Sequence, residues 1–180
     1  MIPLGSTDMT LSRMGLGTWA IGGGPAWNGD LDLQICIDTI VEAHRCGINL
    51  IDTAPGYNFG NSEVIVGQAL KQLPRREVVV ETKCGIVWER TGSLFNKVGD
   101  RQLYKNLTPE SIREEVEASL QRLGIDTIDI YMTHWQSVEP CFTPIAETVA
   151  TLNALKKEGK IRAIGAANVD VGHIREYLKH

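Results

Sequence analysis

The sequence has no run of basic residues and no long apolar segment. Its 18 lysines and arginines are outnumbered by 22 acidic residues, which gives a formal net charge of −4. Nucleic-acid-binding proteins and polybasic membrane anchors carry clustered positive charge, so both classes are disfavoured. No apolar run approaches the roughly 20 residues of a membrane helix, and the first residues lack the basic and apolar regions of a signal peptide. We therefore expect a cytoplasmic protein with a small-molecule ligand, no nucleic-acid partner and no membrane contact.

Cysteine is scarce and is not spaced for a metal site. The four cysteines form no Cys-x-x-Cys pair and have no histidine partner at zinc-finger spacing. A catalytic cysteine activated by histidine is the alternative. Cys36 falls within a predicted helix and Cys46 lies just after its end, however, and Cys84 follows a lysine with a better claim to the chemistry. We therefore expect reduced thiols, Cys141 included, and no bound metal.

Short apolar segments alternate with segments of helical periodicity along the chain. The apolar segments are nearly continuous, which is typical of parallel strands covered on both faces. Predicted strands span residues 14–19, 48–51, 78–82, 128–133 and 161–166. Predicted helices span residues 31–44, 62–73, 109–123, 143–158 and 171–178. This alternation indicates five consecutive βα units.

Five parallel βα units are compatible with an open doubly wound sheet or with part of a closed eight-stranded barrel. Residues 15–20 superficially match a dinucleotide-binding fingerprint, but Gly22-Gly23-Gly24-Pro25 follows where that motif needs a helix. We therefore predict an α/β fold, a (β/α)8 TIM barrel of which only about the first five βα units are present in this chain. Residues 1–13 predict a hairpin and residues 14–180 the βα units, within one C-terminally truncated barrel domain over residues 1–180.

Four polar side chains follow the predicted strands. Asp52, Lys83 and His134 each come directly after an apolar strand, and Tyr57 lies in the turn after Asp52. Taken singly, each has an ordinary explanation as a helix cap, a surface lysine, a core histidine or a packing aromatic. Together they indicate an active site, because the carboxyl ends of all barrel strands meet at one rim.

These four groups suit the reduction of a carbonyl. Hydride addition leaves an alkoxide that needs a proton, and a tyrosine with a pKa of about 10 is a weak acid near neutrality. A lysine ammonium about 4 Å away would favour tyrosinate by about 4 kcal/mol, which lowers the tyrosine pKa by about three units at most. We expect Asp52 to hold Lys83 charged and oriented, and His134 to hydrogen-bond the substrate oxygen.

Five segments of the chain form a characteristic set. They are Gly15-Leu16-Gly17-Thr18-Trp19, Asn49-Leu50-Ile51-Asp52-Thr53-Ala54 with Tyr57, Glu81-Thr82-Lys83, Asp129-Ile130-Tyr131 with His134, and Gly159-Lys160-Ile161-Arg162-Ala163-Ile164-Gly165. In order and spacing, these segments resemble the aldo-keto reductase family. The resemblance covers essentially the whole chain and implies an enzyme that reduces aldehydes or ketones of small molecules, among them dicarbonyls such as methylglyoxal, with NADPH or NADH.

The resemblance also assigns roles to single residues. It makes Tyr57 the general acid of a catalytic tetrad, whose members are Asp52, Tyr57, Lys83 and His134. It places four residues near the nicotinamide end of the cofactor: Thr18, Trp19, Asp52 and Asn168. Ala167 stands where the family usually has a serine, so this chain lacks the hydroxyl for one hydrogen bond to the cofactor.

Aromatic residues near the strand ends are expected to line the substrate pocket. They are Trp19, Tyr57, Trp88 and Trp135. Simple packing is the alternative role for Trp19 and Trp135. Residues 84–107 are too many for a connector and predict a loop over the site that shapes substrate choice.

A complete barrel has eight strands and about 250 residues, so about three strands are expected to be missing from this chain. In the family, the last strands and their loops bind the adenosine phosphate and pyrophosphate, so the residues that choose between NADH and NADPH are not expected here. Two open sheet edges predict pairing with another chain, as in a homo-oligomer, or a fragment of a longer gene product. Two other functions stay open: a cofactor-binding regulatory barrel like a channel-associated subunit, and a catalytically dead truncated fragment.

Overall fold

A computed structural model describes residues 1–27, 29 and 31–180 of the chain. The strands in these residues are β1 (Ile2–Pro3), β2 (Thr10–Leu11), β3 (Gly15–Gly17), β4 (Leu50–Asp52), β5 (Val79–Cys84), β6 (Ile86–Val87), β7 (Ser93–Val98), β8 (Arg101–Lys105), β9 (Ile128–Thr133) and β10 (Ile161–Ala166). The α-helices are α1 (Leu33–Arg45), α2 (Asn61–Leu70), α3 (Pro109–Leu123), α4 (Ile145–Lys157) and α5 (Val171–Tyr177). Across the described ranges, none of these helices combines the length and the apolarity needed to cross a membrane.

Five parallel strands form the main sheet, in the order β10-β9-β5-β4-β3. A helix follows each of them before the next strand of the sheet, and α5 follows β10. The antiparallel pair β1 and β2 precedes the sheet. This arrangement confirms the predicted α/β fold with five βα units, and it brings the carboxyl ends of all five strands to one edge.

Local sequence signals determine where the helices begin and end. Thr108 caps α3, since its hydroxyl accepts a hydrogen bond from the Ser111 amide, and Gly124 ends the helix in the left-handed conformation with φ +65°. The helix predicted over residues 62–73 ends earlier, at Leu70. Pro74 follows closely and disfavours helical backbone in the residue before it.

The two faces of the main sheet pack against two different apolar clusters. Val80 and Cys84 of β5 belong to the large core between the sheet and the helices. Val79 belongs to a smaller cluster on the interior face, together with Met9 and Ile130. Since side chains alternate along a strand, the odd-numbered residues of β5 face the barrel interior.

Residues 84–107 form more than the predicted loop. They contain a three-stranded antiparallel sheet in the order β6-β8-β7. β7 and β8 pair so that Val98 lies opposite Arg101, which leaves Gly99-Asp100 as a two-residue turn. A glycine at the first position of such a turn, here with φ +61°, is a hairpin signal, so the single loop predicted for residues 84–107 is wrong at this point.

A buried ion pair joins α2 to α3. Glu63 is fully buried, and one of its carboxylate oxygens accepts a hydrogen bond from Arg122 Nε at 2.6 Å. Its other oxygen accepts one from the Thr82 hydroxyl at 2.6 Å. The helices approach so closely that a Cβ on Gly67 would lie 2.5 Å from the Arg122 carbonyl oxygen. Glu63 therefore ties two helices to the central strand of the sheet.

Candidate active site

The four predicted catalytic side chains converge at the carboxyl edge of the sheet. Lys83 Nζ donates to the Asp52 carboxylate and lies 3.3 Å from Tyr57 Oη. The rings of Tyr57 and His134 meet edge to face with their centroids 5.8 Å apart. An acid, an ammonium, a phenol and an imidazole therefore share one place in the fold, although they come from three separate strands.

Lys83 is the centre of this cluster. It is only 5% exposed, and its ammonium also donates to the Thr53 carbonyl oxygen at 2.9 Å. A buried ammonium is stable only when its donors are satisfied, and here Asp52, Thr53 and Tyr57 accept from it. These partners fix its position relative to the phenol.

A group of buried hydroxyls supports the strand ends that carry this catalytic cluster. The Ser62 hydroxyl on α2 lies 2.6 Å from the Thr18 hydroxyl and 2.9 Å from the Thr53 hydroxyl. Thr18 Oγ1 in turn donates to the Asp52 carbonyl oxygen at 2.9 Å. Ser62 thus links the ends of β3 and β4. The role of Ser62 is not visible in the sequence, because a serine inside a helix carries no signal of the contacts it makes across the fold.

The pKa of Tyr57 shifts in the direction opposite to the prediction. Burial raises this pKa above its ordinary value, Lys83 lowers it, and Asp52 raises it again. The expected net lowering by Lys83 is therefore wrong for the free protein. The pKa of Tyr57 is raised because the phenol is half-buried and because the Asp52 carboxylate offsets the field of the Lys83 ammonium. Tyr57 is consequently protonated near neutrality, which is the form that donates a proton.

His134 is an uncharged donor or acceptor at neutral pH. Burial and the nearby Lys83 ammonium lower the pKa of His134 from its ordinary 6.5 to about 4. Its backbone is fixed on both sides, since its amide donates to the Cys84 carbonyl and its carbonyl accepts from Asn168 Nδ2 at 2.7 Å. Its Nδ1 is buried and has no hydrogen-bond partner among the described residues.

The lowered pKa of His134 predicts a pH dependence of stability. In the unfolded chain, this histidine binds a proton below pH about 6.5. In the folded chain it binds a proton only below pH about 4. Because the unfolded state binds more protons between these two values, the free energy of unfolding falls as pH falls through this window. We expect a loss of up to about 3 kcal/mol from this group. Urea unfolding at several pH values measures it. His134→Gln should flatten the slope in this window, and an unchanged slope would contradict the assignment.

A cavity of about 350 Å³ opens beside Tyr57 and His134. Trp19 is 53% exposed at its mouth, and its ring lies 6.2 Å from that of Tyr57. Trp135 lies on another wall, 5.5 Å from Phe95 of β7. Aromatic side chains that line the cavity are Trp19, Tyr57, Phe59, Phe95 and Trp135. The sheet formed by residues 84–107 therefore supplies part of the wall.

Trp88 does not line this cavity. Its ring packs edge-on against Phe59, with the centroids 5.6 Å apart, and it borders a separate cleft of about 80 Å³ against α3. The cause is the antiparallel path of the chain after β6, which directs the indole toward Arg122. The prediction that Trp88 belongs to the pocket beside Tyr57 is corrected accordingly.

The residues predicted to hold the cofactor divide into two groups. Asn168 and Trp19 line the cavity, and Asn168 uses its Nδ2 internally, which leaves Oδ1 to accept from an amide such as the carboxamide of nicotinamide. Thr18 is fully buried and its hydroxyl is used within the protein, so it supports Asp52 from behind. The Asn168 Oδ1 acceptor at this cavity fits the carboxamide of a nicotinamide.

A family model for aldo/keto reductases matches residues 13–180 of this chain. The fold and the geometry at the strand ends agree with that match. The chain therefore belongs to the aldo/keto reductase family.

Several relatives are similar over nearly the whole of this chain. The chain is 89% identical over 179 residues to the NADH-specific methylglyoxal reductase of Escherichia coli (strain K12). The matched region covers 99% of this chain and 55% of that protein. The structure of a glycerol dehydrogenase from Gluconobacter oxydans superposes with a TM-score of 0.82 and 39% identity, over 99% of this chain and 51% of the other. An aldo-keto reductase from Klebsiella pneumoniae in complex with NADPH gives a TM-score of 0.69 and 30% identity, over 92% and 48%. The chain thus spans about half the length of these relatives, as a partial barrel should.

Proposed function

We propose that the full-length protein reduces small aldehydes, ketones or dicarbonyls, with methylglyoxal as the first candidate substrate and NADH as the cofactor. One observation carries the proposal: Lys83 Nζ lies 3.3 Å from Tyr57 Oη at the cavity that His134 also lines. A relative 89% identical is named an NADH-specific methylglyoxal reductase, which supports the choice of substrate and cofactor.

The residues of this chain provide the proton and the orientation of the substrate. The nicotinamide cofactor, when bound, supplies the hydride. Tyr57 donates its proton to the carbonyl oxygen as that oxygen gains negative charge. Lys83 stabilises the tyrosinate that is left, and Asp52 keeps Lys83 in place. Neutral His134 lies edge-on to Tyr57, where it can hydrogen-bond the same oxygen.

The cofactor side of the site is proposed from fewer residues. Asn168 is assigned to the carboxamide of the nicotinamide and Trp19 to its ring. Thr18 and Asp52 have an indirect role, since the Thr18 hydroxyl donates to the Asp52 carbonyl oxygen and supports the end of β4. Trp19, Tyr57 and Trp135 are assigned to the substrate pocket. A cytoplasmic location, one barrel domain over residues 1–180 and the pairing of the open sheet edges stay predictions.

A direct assay tests the substrate and the cofactor. We expect the full-length protein to oxidise NADH when methylglyoxal is added, with a kcat/KM for NADH well above that for NADPH. The absorbance of the reduced cofactor follows the reaction. The same protein without methylglyoxal is the control for background oxidation. If neither cofactor is consumed with methylglyoxal or with other small aldehydes, the proposed reaction is wrong.

A further inference from the structure

Glu81 lies on the interior face of β5, two residues before Lys83. Val80 and Cys84 point into the core beneath the helices, so Glu81 and Lys83 share the opposite face. Thr82 confirms this alternation, because its hydroxyl reaches Glu63 on the helix side. Glu81 is only partly exposed. A second carboxylate therefore lies on the same face of β5 as the ammonium of the site.

The register of the sheet places Glu81 beside Asp52. Glu81 is the partner of Asp52 on β4 and of Ile130 on β9. The preceding pair in that register, Leu50 and Val79, is apolar. Glu81 thus lies between an apolar layer of the barrel interior and the ion pair of Asp52 with Lys83. An ionised carboxylate there is stabilised chiefly by that ammonium.

The Lys83 ammonium is in contact with the Asp52 carboxylate and acts on the Glu81 carboxylate through space. Burial and the Asp52 carboxylate raise the pKa of Glu81, and Lys83 lowers it. Glu81 is itself among the groups that raise the pKa of Tyr57. Asp52 from β4 and the apolar Ile130 from β9 lie opposite Glu81 in the sheet. The other titratable groups that act on Glu81 or respond to it are Lys83 from β5 and Tyr57 from the turn after β4.

We propose that Glu81 is a positioning residue for the proton transfer: its carboxylate lies on the interior face beside the ion pair of Asp52 with Lys83, adds negative charge there and so keeps the proton on Tyr57. This inference rests on the proposed function. At alkaline pH, a proton kept on Tyr57 allows donation to a carbonyl oxygen, and it opposes the reverse oxidation, in which Tyr57 must accept a proton. Glu81 therefore extends reduction to higher pH.

Glu81→Gln tests the inference through the pH profile of carbonyl reduction. Loss of the negative charge should move the alkaline limb of kcat/KM to lower pH, because Glu81 is one of the charges that raise the pKa of Tyr57. Wild-type protein and the variant should converge at acidic pH, where Glu81 is protonated. Glu81→Asp keeps the charge and should retain most of the wild-type profile. Glu42→Gln removes an equal charge from an exposed position on α1 and should leave the profile unchanged.

A second readout needs neither cofactor nor substrate. The tyrosinate absorbance of each protein minus that of its Tyr57→Phe counterpart isolates the titration of Tyr57. This titration should also move to lower pH in Glu81→Gln, even if the protein reduces no carbonyl. A failure of the proposed function can therefore be told apart from a failure of this inference about Glu81. Glu81→Met replaces the glutamine variant if the latter does not fold. An alkaline limb or a Tyr57 titration that stays in place, or moves to higher pH, overturns the inference.

Discussion

Tyr57→Phe should lower kcat/KM for carbonyl reduction by about 10²–10⁴-fold, the usual contribution of a general acid. Phenylalanine keeps the ring contacts to Trp19 and His134, at 6.2 and 5.8 Å between centroids, so the cavity should keep its shape. Only the hydroxyl that lies 3.3 Å from Lys83 is lost. The binding of NADH, followed by quenching of tryptophan fluorescence, should therefore be nearly unchanged while turnover collapses.

Tyr104→Phe is the matched control for this substitution. Tyr104 lies on β8, and it is not among the residues that line the cavity. Removal of its hydroxyl should change kcat/KM by less than about twofold. Equal losses in the two variants would point to general damage. Full activity in Tyr57→Phe would remove Tyr57 from the proposed role of proton donor.

Arg122→Leu should lower the free energy of unfolding by about 3–5 kcal/mol, because it leaves a buried carboxylate without its cation. Glu63 is fully buried, and Arg122 is the cation that pairs with it at 2.6 Å. Denaturation by urea or guanidinium chloride measures the loss. A second substitution, Glu63→Gln, should restore part of the stability, since it removes the unpaired charge.

Arg113→Leu provides the control on the same helix. Arg113 pairs with Glu158 at 2.9 Å, but both side chains are well exposed, at 47% and 39%. An exposed pair of this kind contributes less than about 1 kcal/mol. If Arg122→Leu costs no more than Arg113→Leu, the pair of Arg122 with Glu63 does not hold α2 and α3 together as we describe.

Sequence predicts the parts of the fold that depend on local patterns of residues. Apolar runs locate the five parallel strands, and the polar residues directly after them locate Asp52, Lys83 and His134. Strand ends in a parallel sheet must meet at one edge, so the convergence of these groups follows from chain order alone. The cap at Thr108 and the stop at Gly124 define α3 for the same reason.

The parts that sequence did not predict depend on contacts between distant segments. The direction of Trp88 follows from the path of the antiparallel sheet, and the contacts of Ser62 follow from how α2 lies against β3 and β4. The pKa of Tyr57 depends on how deeply the phenol is buried, a quantity that no spacing encodes. In each case the residue type was visible, but its surroundings were not.

Transfer of deuterium from the cofactor to the alcohol tests the proposed reduction at this site. The full-length protein is incubated with methylglyoxal and NADH that carries deuterium at the transferable position, and the alcohol is analysed by mass spectrometry. We expect one deuterium on the carbon of the reduced carbonyl, and its yield should fall with Tyr57→Phe in parallel with cofactor oxidation. Unlabelled alcohol, or labelled alcohol formed equally well by Tyr57→Phe, would contradict a site in which hydride addition is completed by the proton of Tyr57.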